Sequence, residues 1–368
     1  MAGVKIGVIG VGHLGKEHAR ILASLPGAEL VGVVDASRQQ AENIALRTST
    51  TAYTSHLELL PKVDAAIIAV PTRFHFDIAC DFLKAGKALL IEKPITIEPE
   101  QANKLCELAK SKNTCLQVGH IERFNPAFEA LCELPMKPRY IRAERLGGFS
   151  GRSSDTGVVL DLMVHDIDLI CALVRSEVTS VSGLGVAVLG GHEDIAQARL
   201  TFANGTIADL SASRAHPEPR RRMDVWGVEG YAGIDFVTKK ITLMQPGDSL
   251  RYLADSAPGK VDNTTLNSFK VELFNNHIET KTLDCSRSDG DQLTWELLDF
   301  VKSISQGSKP RVDGYAGARA VTISTMILDS ICSHQWQGNS GNEAGPWDLP
   351  TSEGKLFRKL NISKESAA

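Results

Sequence analysis

The feature that most constrains the fold of this chain is a glycine-rich turn near its start, Gly10-Val11-Gly12-His13-Leu14-Gly15. An apolar run over 4–9 leads into this turn, and helix-compatible residues follow it. A second apolar run over 29–34 then ends at Asp35. This order is the pattern of a βαβ unit that binds a dinucleotide: strand, glycine turn, helix, strand and acidic residue. The sequence therefore predicts a nucleotide-binding α/β fold.

Each glycine of this turn has a physical task. Gly10 allows the sharp turn, Gly12 lets the backbone approach a pyrophosphate, and Gly15 lets the helix pack closely on the strand. The pyrophosphate would lie at the helix N-terminus, where free N–H groups and the positive end of the helix dipole favour an anion. We include His13 and Leu14 in the predicted cofactor site because they belong to the same turn.

Asp35 predicts the identity of the dinucleotide. Its carboxylate can accept hydrogen bonds from a ribose diol but would repel a 2′-phosphate, which favours NAD over NADP. Arg38, three residues further on, leaves NADP possible because its charge can offset that repulsion.

Composition excludes several classes of function. A chain of 368 residues is long enough for two domains. A net charge of −4 gives no electrostatic footprint for nucleic acid or for an anionic membrane. The seven cysteines are scattered without a C-x-x-C motif, which indicates reduced thiols and neither a disulfide framework nor a zinc site. With no long apolar run and no leader pattern, we expect a cytoplasmic protein.

Strands alternate with helices as far as residue 118, which predicts a doubly wound parallel sheet. Strands then dominate, with a hairpin over 196–213 whose Asn204-Gly205 pair predicts a type I′ turn. The fold class is therefore α/β, a Rossmann sheet followed by an α+β domain with a mainly antiparallel sheet. We place a cofactor domain at 1–121, a substrate and oligomerisation domain at 122–335, and a tail at 336–368.

Parallel sheets bind ligands at the carboxyl ends of their strands, and two such ends carry candidate residues. One is Glu92-Lys93-Pro94, where the ammonium of Lys93 can stabilise a developing alkoxide and the X-Pro bond can be cis. A solvated lysine is the alternative. The other is Val70-Pro71-Thr72 with His75, which can pack on the nicotinamide. A capping or exposed role for His75 is the alternative.

A third candidate lies on a helix predicted over 158–174. Positions 161, 165 and 168 share one helical face, so Asp161 would lie beside His165 and fix its tautomer for proton transfer. A structural, hydrogen-bonded histidine is the alternative. We predict no metal here, because no further His or Cys stands at ligand spacing.

Together these motifs resemble the glucose–fructose oxidoreductase, inositol dehydrogenase and MocA family. The resemblance rests on G-x-G-x-x-G-x-x-H ending at His18, Asp35, Pro71 with His75, the EKP motif, and Asp161 with His165. It implies a Rossmann domain, then a domain whose large open sheet mediates oligomerisation, hence a homodimer or homotetramer. It also implies that Lys93, Asp161 and His165 are the catalytic residues.

Residues 119–126, 145–155 and 161–168 further resemble one subgroup of this family, the bacterial UDP-N-acetylglucosamine 3-dehydrogenases. A UDP-sugar needs cations for its diphosphate. We therefore name Arg123, Asn125, Arg152 and Arg214 as substrate-binding candidates, with Lys93, Asp161 and His165 beside them. The run 220–222 is a further source of arginines, unless it is a solvated strand end or a subunit contact.

The sequence thus predicts an NAD-dependent dehydrogenase that removes hydride from a secondary hydroxyl of a sugar, at C3 of a UDP-N-acetylhexosamine. In this hypothesis His165 takes the hydroxyl proton, Lys93 holds the oxygen, and Asp161 orients His165. A free-sugar or inositol dehydrogenase, or a reductase working in the opposite direction, is the alternative within enzymes. A non-catalytic NAD-sensing protein is the alternative outside them.

Overall fold

A computed structural model describes residues 3–149, 156–188, 192–248 and 277–334. Its first sheet has six parallel strands in the spatial order β3-β2-β1-β4-β5-β6. They are β1 (Val4–Ile9), β2 (Ala28–Val34), β3 (Thr51–Tyr53), β4 (Ala65–Ile68), β5 (Ala88–Glu92) and β6 (Leu116–Gly119). The helices between them are α1 (Gly15–Leu22), α2 (Arg38–Thr48), α3 (His56–Leu59), α4 (His75–Lys84) and α5 (Pro99–Ser111). This order confirms the predicted doubly wound sheet.

The second sheet has eight strands in the order β14-β13-β12-β11-β7-β10-β9-β8. They are β7 (Pro138–Leu146), β8 (Val178–Val186), β9 (Ile195–Phe202), β10 (Ile207–Ser213), β11 (Arg220–Gly227), β12 (Gly230–Asp235), β13 (Lys240–Pro246) and β14 (Ile278–Asp284). Helices α6 (Pro126–Glu133) and α7 (Val164–Val174) contribute to its core. Within the described ranges β7 and β10 pair in parallel and the other neighbours are antiparallel, as predicted for this sheet.

The hairpin of β9 and β10 forms as predicted, but its turn type was wrong. A type I′ turn needs positive φ at both central residues, whereas here Gly205 has φ +83° and Asn204 does not enter that region. The Phe202 amide donates to the Thr206 carbonyl, and the Gly205 amide donates to Phe202, both at 2.9 Å. The connection is therefore a three-residue loop closed by a left-handed glycine.

Two C-terminal helices, α8 (Gln292–Gln306) and α9 (Gly314–Ser333), belong to the predicted second domain but contribute to the core of the first sheet. Leu297 and Phe300 of α8 pack with Ile6 of β1, in the core of the first sheet. Val321 of α9 joins the first sheet's core, while Ile327 joins the second sheet's core. A segment that we assigned to the second domain therefore also covers the first sheet, and the domain bounds 1–121 and 122–335 stay a prediction. The predicted tail, 336–368, lies outside the described residues.

No helix in the described ranges combines the length and the apolar composition that crossing a bilayer requires.

Candidate active site

The glycine turn after β1 leaves room for a pyrophosphate. Gly10 has φ +85°, and a Cβ on Gly15 would overlap the carbonyl oxygen of Gly10. By contrast, a Cβ on Gly12 would have no protein atom within 4 Å. Space is therefore open at Gly12 beside the N-terminus of α1, where anions are favoured. The residues His13 and Leu14 complete this turn, and Leu14 is 40% exposed.

Asp35 lies at the end of β2 with its carboxylate fixed by the backbone. One oxygen accepts a hydrogen bond from the Val11 amide at 3.0 Å, and the other accepts one from the Ser37 amide at 2.9 Å. Each oxygen keeps a lone pair for a ribose hydroxyl. Arg38 is exposed and lies 3.7 Å from Glu42 in an i, i+4 ion pair. These residues fit NAD.

Lys93 directly follows β5, and its ammonium is held by Asp161 from the second domain. Its Nζ donates to the main-chain oxygen of Asp161 at 2.7 Å and to Oδ1 at 3.1 Å. The Lys93–Pro94 peptide is cis, as the sequence suggested. The ammonium is thus held between the end of β5 and the turn that precedes α7.

This pairing corrects the predicted role of Asp161. The segment Val159–Met163 is a π-helical turn, and only from Val164 onward is the chain α-helical. A π turn adds a residue per turn and rotates the side chains that precede α7. The Asp161 carboxylate therefore meets Lys93, and it does not hold the ring of His165 as the α-helical spacing predicted.

His165, in the first turn of α7, is only partly exposed, and its Nδ1 is buried without a partner in the described chain. The accessible part of the ring lies away from Nδ1. Burial lowers the pKa of His165 well below its ordinary value, and the nearby charges of Lys93 and Arg145 act in the same direction. The imidazole is therefore neutral near pH 7, as a proton acceptor must be.

A buried acidic cluster lies next to the EKP motif, and the sequence analysis did not predict it. Nε2 of His18 lies 2.7 Å from Oε1 of Glu92, and the Lys93 amide donates to Oε2 at 3.3 Å. Glu296 of α8 is fully buried, and its carboxyl has no partner among the described residues. One ligand-type atom from each of His18, Glu92 and Glu296 lies within 4.8 Å of the other two. No sequence motif indicated that α8 would approach this point.

The pKa values of the two carboxyls in this cluster are shifted in opposite directions. Burial alone would raise the pKa of Glu92, but the hydrogen bond and charge of His18 outweigh it and lower that pKa. Burial raises the pKa of Glu296 well above its ordinary value, and the charges of Glu92 and Asp299 add to the effect. Nε2 of His18 and Oε1 of Glu92 already contact each other, and the raised pKa of Glu296 disfavours the carboxylate that a metal ligand needs, so we do not interpret the set as a metal site.

His75 connects the loop after β4 to the loop after β5. The ring is buried, with Nδ1 3.0 Å from the Pro94 carbonyl oxygen and Nε2 2.8 Å from that of Val70. Burial lowers the pKa of His75, although its hydrogen bonds to these carbonyls act against the shift. Pro71 and Thr72 begin the short turn that follows. His75 therefore joins two loops of the predicted cofactor site and does not itself face a ligand.

Three predicted substrate residues are committed to internal contacts. Arg123 pairs with Asp168 through two hydrogen bonds of 2.6 and 3.0 Å. Asn125 is buried and caps α6. Arg214 is buried, with its Nε 2.5 Å from Asp194. We expected these side chains to bind the substrate, whereas in the structure their charges and polar atoms contact other residues of the protein. The fourth candidate, Arg152, lies outside the described residues.

A second buried ion network fixes the base of α7. Arg145 of β7 donates to Asp166 through Nε and Nη2, at 3.0 and 2.8 Å, and to Glu122 through Nη1 at 2.9 Å. Asp166 directly follows His165, so this network determines where α7 places that histidine. Strand alternation places Arg145 on the same face as the buried Ile141 and Ala143, but the sequence did not indicate its buried partners.

Comparison with known proteins agrees with this geometry. Residues 4–120 match the model of the oxidoreductase family with an NAD-binding Rossmann fold, and residues 137–232 match that of the GFO/IDH/MocA C-terminal domain. A UDP-N-acetylglucosamine 3-dehydrogenase from Acidithiobacillus ferrooxidans is 35% identical over 332 residues, which are 90% of this chain and 98% of the relative. A solved structure of that enzyme superposes with a TM-score of 0.79 at 34% identity, over 90% of this chain and 98% of that one. The scyllo-inositol 2-dehydrogenase (NAD(+)) of Bacillus subtilis is 32% identical over 62% of this chain and 72% of the relative.

Proposed function

This chain belongs to the GFO/IDH/MocA family of NAD-dependent oxidoreductases acting on sugar hydroxyls, and we propose that it oxidises the 3-hydroxyl of a UDP-N-acetylhexosamine. The observation that carries this proposal is the cleft in which Asp161 of the second domain holds the Lys93 ammonium, next to the neutral imidazole of His165. The relative from Acidithiobacillus ferrooxidans supports the choice of substrate.

Each side chain has one task in the proposed reaction. The substrate hydroxyl approaches Lys93, whose ammonium stabilises negative charge as it develops on the oxygen. His165 takes the hydroxyl proton, and Asp161 keeps the ammonium in place. NAD, when bound, supplies the hydride acceptor, so the carbinol becomes a ketone. The glycine turn and Asp35 hold and orient the cofactor.

The diphosphate of a UDP-sugar needs a cation that is free to meet it, and we assign Arg221 to this task. Its side chain is 55% exposed and lies 3.9 Å from Glu122, a carboxylate that Arg145 already satisfies. Its positive charge also acts to lower the pKa of His165. Arg221 thus takes the place of Arg123 and Arg214 in the substrate hypothesis. A homodimer or homotetramer stays a prediction.

The test is an absorbance assay at the reduced-nicotinamide band, with the purified protein, NAD and either UDP-N-acetylglucosamine, free N-acetylglucosamine or myo-inositol. We expect reduction of NAD with the UDP-sugar and a 3-keto product detected by mass spectrometry. Lys93→Ala should decrease turnover by about 100-fold or more, because charge stabilisation in the transition state is lost. NAD binding, read by thermal shift, should remain.

Matched variants separate the alternatives. Lys84→Ala removes an exposed lysine at the end of α4 and should leave turnover unchanged. Arg221→Gln should raise KM for the UDP-sugar without changing the NAD-induced thermal shift. Turnover of myo-inositol alone would identify an inositol dehydrogenase instead. An NAD-induced thermal shift with no turnover of any sugar would favour the NAD-sensing alternative, and full activity of Lys93→Ala would refute the catalytic assignment.

A further inference from the structure

A second histidine, His120, meets His165 in the cleft and has no task in the mechanism above. It directly follows β6, in the first domain, and its side chain is 1% exposed. Its ring lies edge-on to that of His165, with centroids 6.3 Å apart and an angle of 85° between the planes. Two imidazoles from different domains therefore share one wall of the cleft.

Three nitrogens at this contact have no partner among the described residues. They are both ring nitrogens of His120 and the Nδ1 of His165, and all three are buried. Leaving a buried polar group unsatisfied costs about 1–3 kcal/mol, so such groups are normally paired within the protein or through ordered water. By contrast, His75 is equally buried and has both ring nitrogens on carbonyl oxygens. His120 is thus not explained as a structural histidine.

The position of Asp161 makes a second proton acceptor necessary. A histidine base is commonly supported by a carboxylate at its second nitrogen, which stabilises the imidazolium that forms. Here the Asp161 carboxylate holds Lys93, and Nδ1 of His165 has no carboxylate. A positive charge on His165 would face Lys93, Arg145 and Arg221. The proton that His165 accepts must therefore move on.

We propose that His120 is a proton-relay residue, which takes a proton from Nδ1 of His165 while the other side of that ring takes the proton of the substrate hydroxyl. This inference rests on the proposed function. Two hydrogen bonds through one water span roughly 5 Å between heavy atoms, and the ring centroids are 6.3 Å apart, so we assign the path to one bridging water.

The proton balance of the relay is simple. The substrate O–H bond breaks and its proton joins the accessible nitrogen of His165, while the Nδ1 proton of His165 passes to a nitrogen of His120. His165 stays neutral overall, and His120 carries the charge. NAD, when bound, would supply the acceptor for the carbon-bound hydrogen as hydride, and a carbonyl group would remain.

Charges around His120 suit a transient cation better than those around His165. Asp168 of α7 and Glu92 at the end of β5 favour a charged His120, whereas Arg123 and Lys93 oppose it. His165 faces Lys93, Arg145, Arg221 and His120, and no carboxylate is among its main influences. Burial lowers the pKa of both rings.

The test compares His120→Phe and His120→Ala with wild-type protein, and His56→Phe serves as the control. His56 is a partly buried histidine on α3, paired with Asp81. We expect His120→Phe to lower kcat by about 10-fold or more, with KM and the NAD-induced thermal shift nearly unchanged. His120→Ala should regain rate when imidazole is added, because a free base can occupy the space of the lost ring. Wild type and His56→Phe should not respond to imidazole.

A kcat of His120→Phe equal to that of wild type would overturn the relay, as would a loss in His120→Ala that imidazole does not relieve. Should both variants fail to fold, ¹⁵N NMR of wild-type histidines decides, because a relay requires the two rings to titrate as a coupled pair. Independent titration would overturn the proposal. The NMR measurement needs no substrate, and the kinetic tests can use any sugar that the protein oxidises. The relay can therefore be tested even if the protein does not oxidise the UDP-sugar.

Discussion

Replacing Arg145 with methionine tests how the fold positions α7. The guanidinium donates three hydrogen bonds of 2.8–3.0 Å to Asp166 and Glu122. The three side chains are only 4%, 3% and 8% exposed, respectively. Arg145→Met keeps an apolar stem but removes all three hydrogen bonds, and it leaves Glu122 with the exposed Arg221, at 3.9 Å, as its remaining ion pair. Breaking a buried pair from one side costs about 3–5 kcal/mol. That corresponds to a decrease in Tm on the order of 10 °C for a domain of this size.

Arg199→Met is the matched control. Arg199 also makes a bidentate pair, with distances of 2.7 and 2.8 Å to Asp209, but the two side chains are 59% and 28% exposed. Solvent can replace this partner, so we expect a Tm close to that of wild type. Thermal unfolding followed by circular dichroism measures both variants. Equal Tm values for the two variants would refute the reasoning that burial determines the cost.

The effect of Arg145→Met should depend on pH. Burial alone would raise the pKa of Glu122, but Arg145 outweighs it and the folded-state pKa is lowered from the ordinary value of 4.5. Glu122 therefore contributes stability above the unfolded pKa, and this is lost as pH falls through the folded value. In the variant the buried carboxylates bind protons more readily. The Tm difference from wild type should therefore be largest near pH 7 and smaller below about pH 4.5. A difference that grows in acid would contradict this sign.

Two further predictions concern the cofactor turn and the buried acidic cluster. Gly12→Ala should leave the Tm of the free protein unchanged but remove the NAD-induced thermal shift. Gly15→Ala should lower the Tm of the free protein, because the methyl group at 15 overlaps protein atoms and the one at 12 does not. The reverse pattern would contradict the placement of the pyrophosphate. Glu296→Gln should raise the Tm, and the gain should increase as pH rises above 4.5. The pKa of Glu296 is raised in the folded wild-type protein, so the folded state loses stability relative to the unfolded state once Glu296 ionises in the unfolded chain. A gain in Tm that is the same at pH 4 and pH 8 would show that ionisation of Glu296 is not the cause.

Local patterns in the sequence predicted the elements whose physical causes are local. The glycine turn, Asp35 at its spacing and the alternation of apolar strands with helices gave the parallel sheet and its cofactor edge. The EKP motif predicted Lys93 as a functional residue; in the structure its ammonium contacts Asp161, and its catalytic role stays a prediction. Backbone freedom at glycine and the periodicity of apolar residues act over a few residues, so they can be read without the fold.

The tertiary structure alone decided which side chains meet. Asp161 holds Lys93 and not His165, because a π turn rotates it away from the spacing of an α-helix. Arg123 carried the charge expected of a diphosphate contact, but Asp168 neutralises it inside the protein. His120 and His165 lie 45 positions apart in the chain and meet only when the two sheets face each other. Partner choice among polar groups depends on burial and on contacts distant in sequence, and no local pattern encodes either.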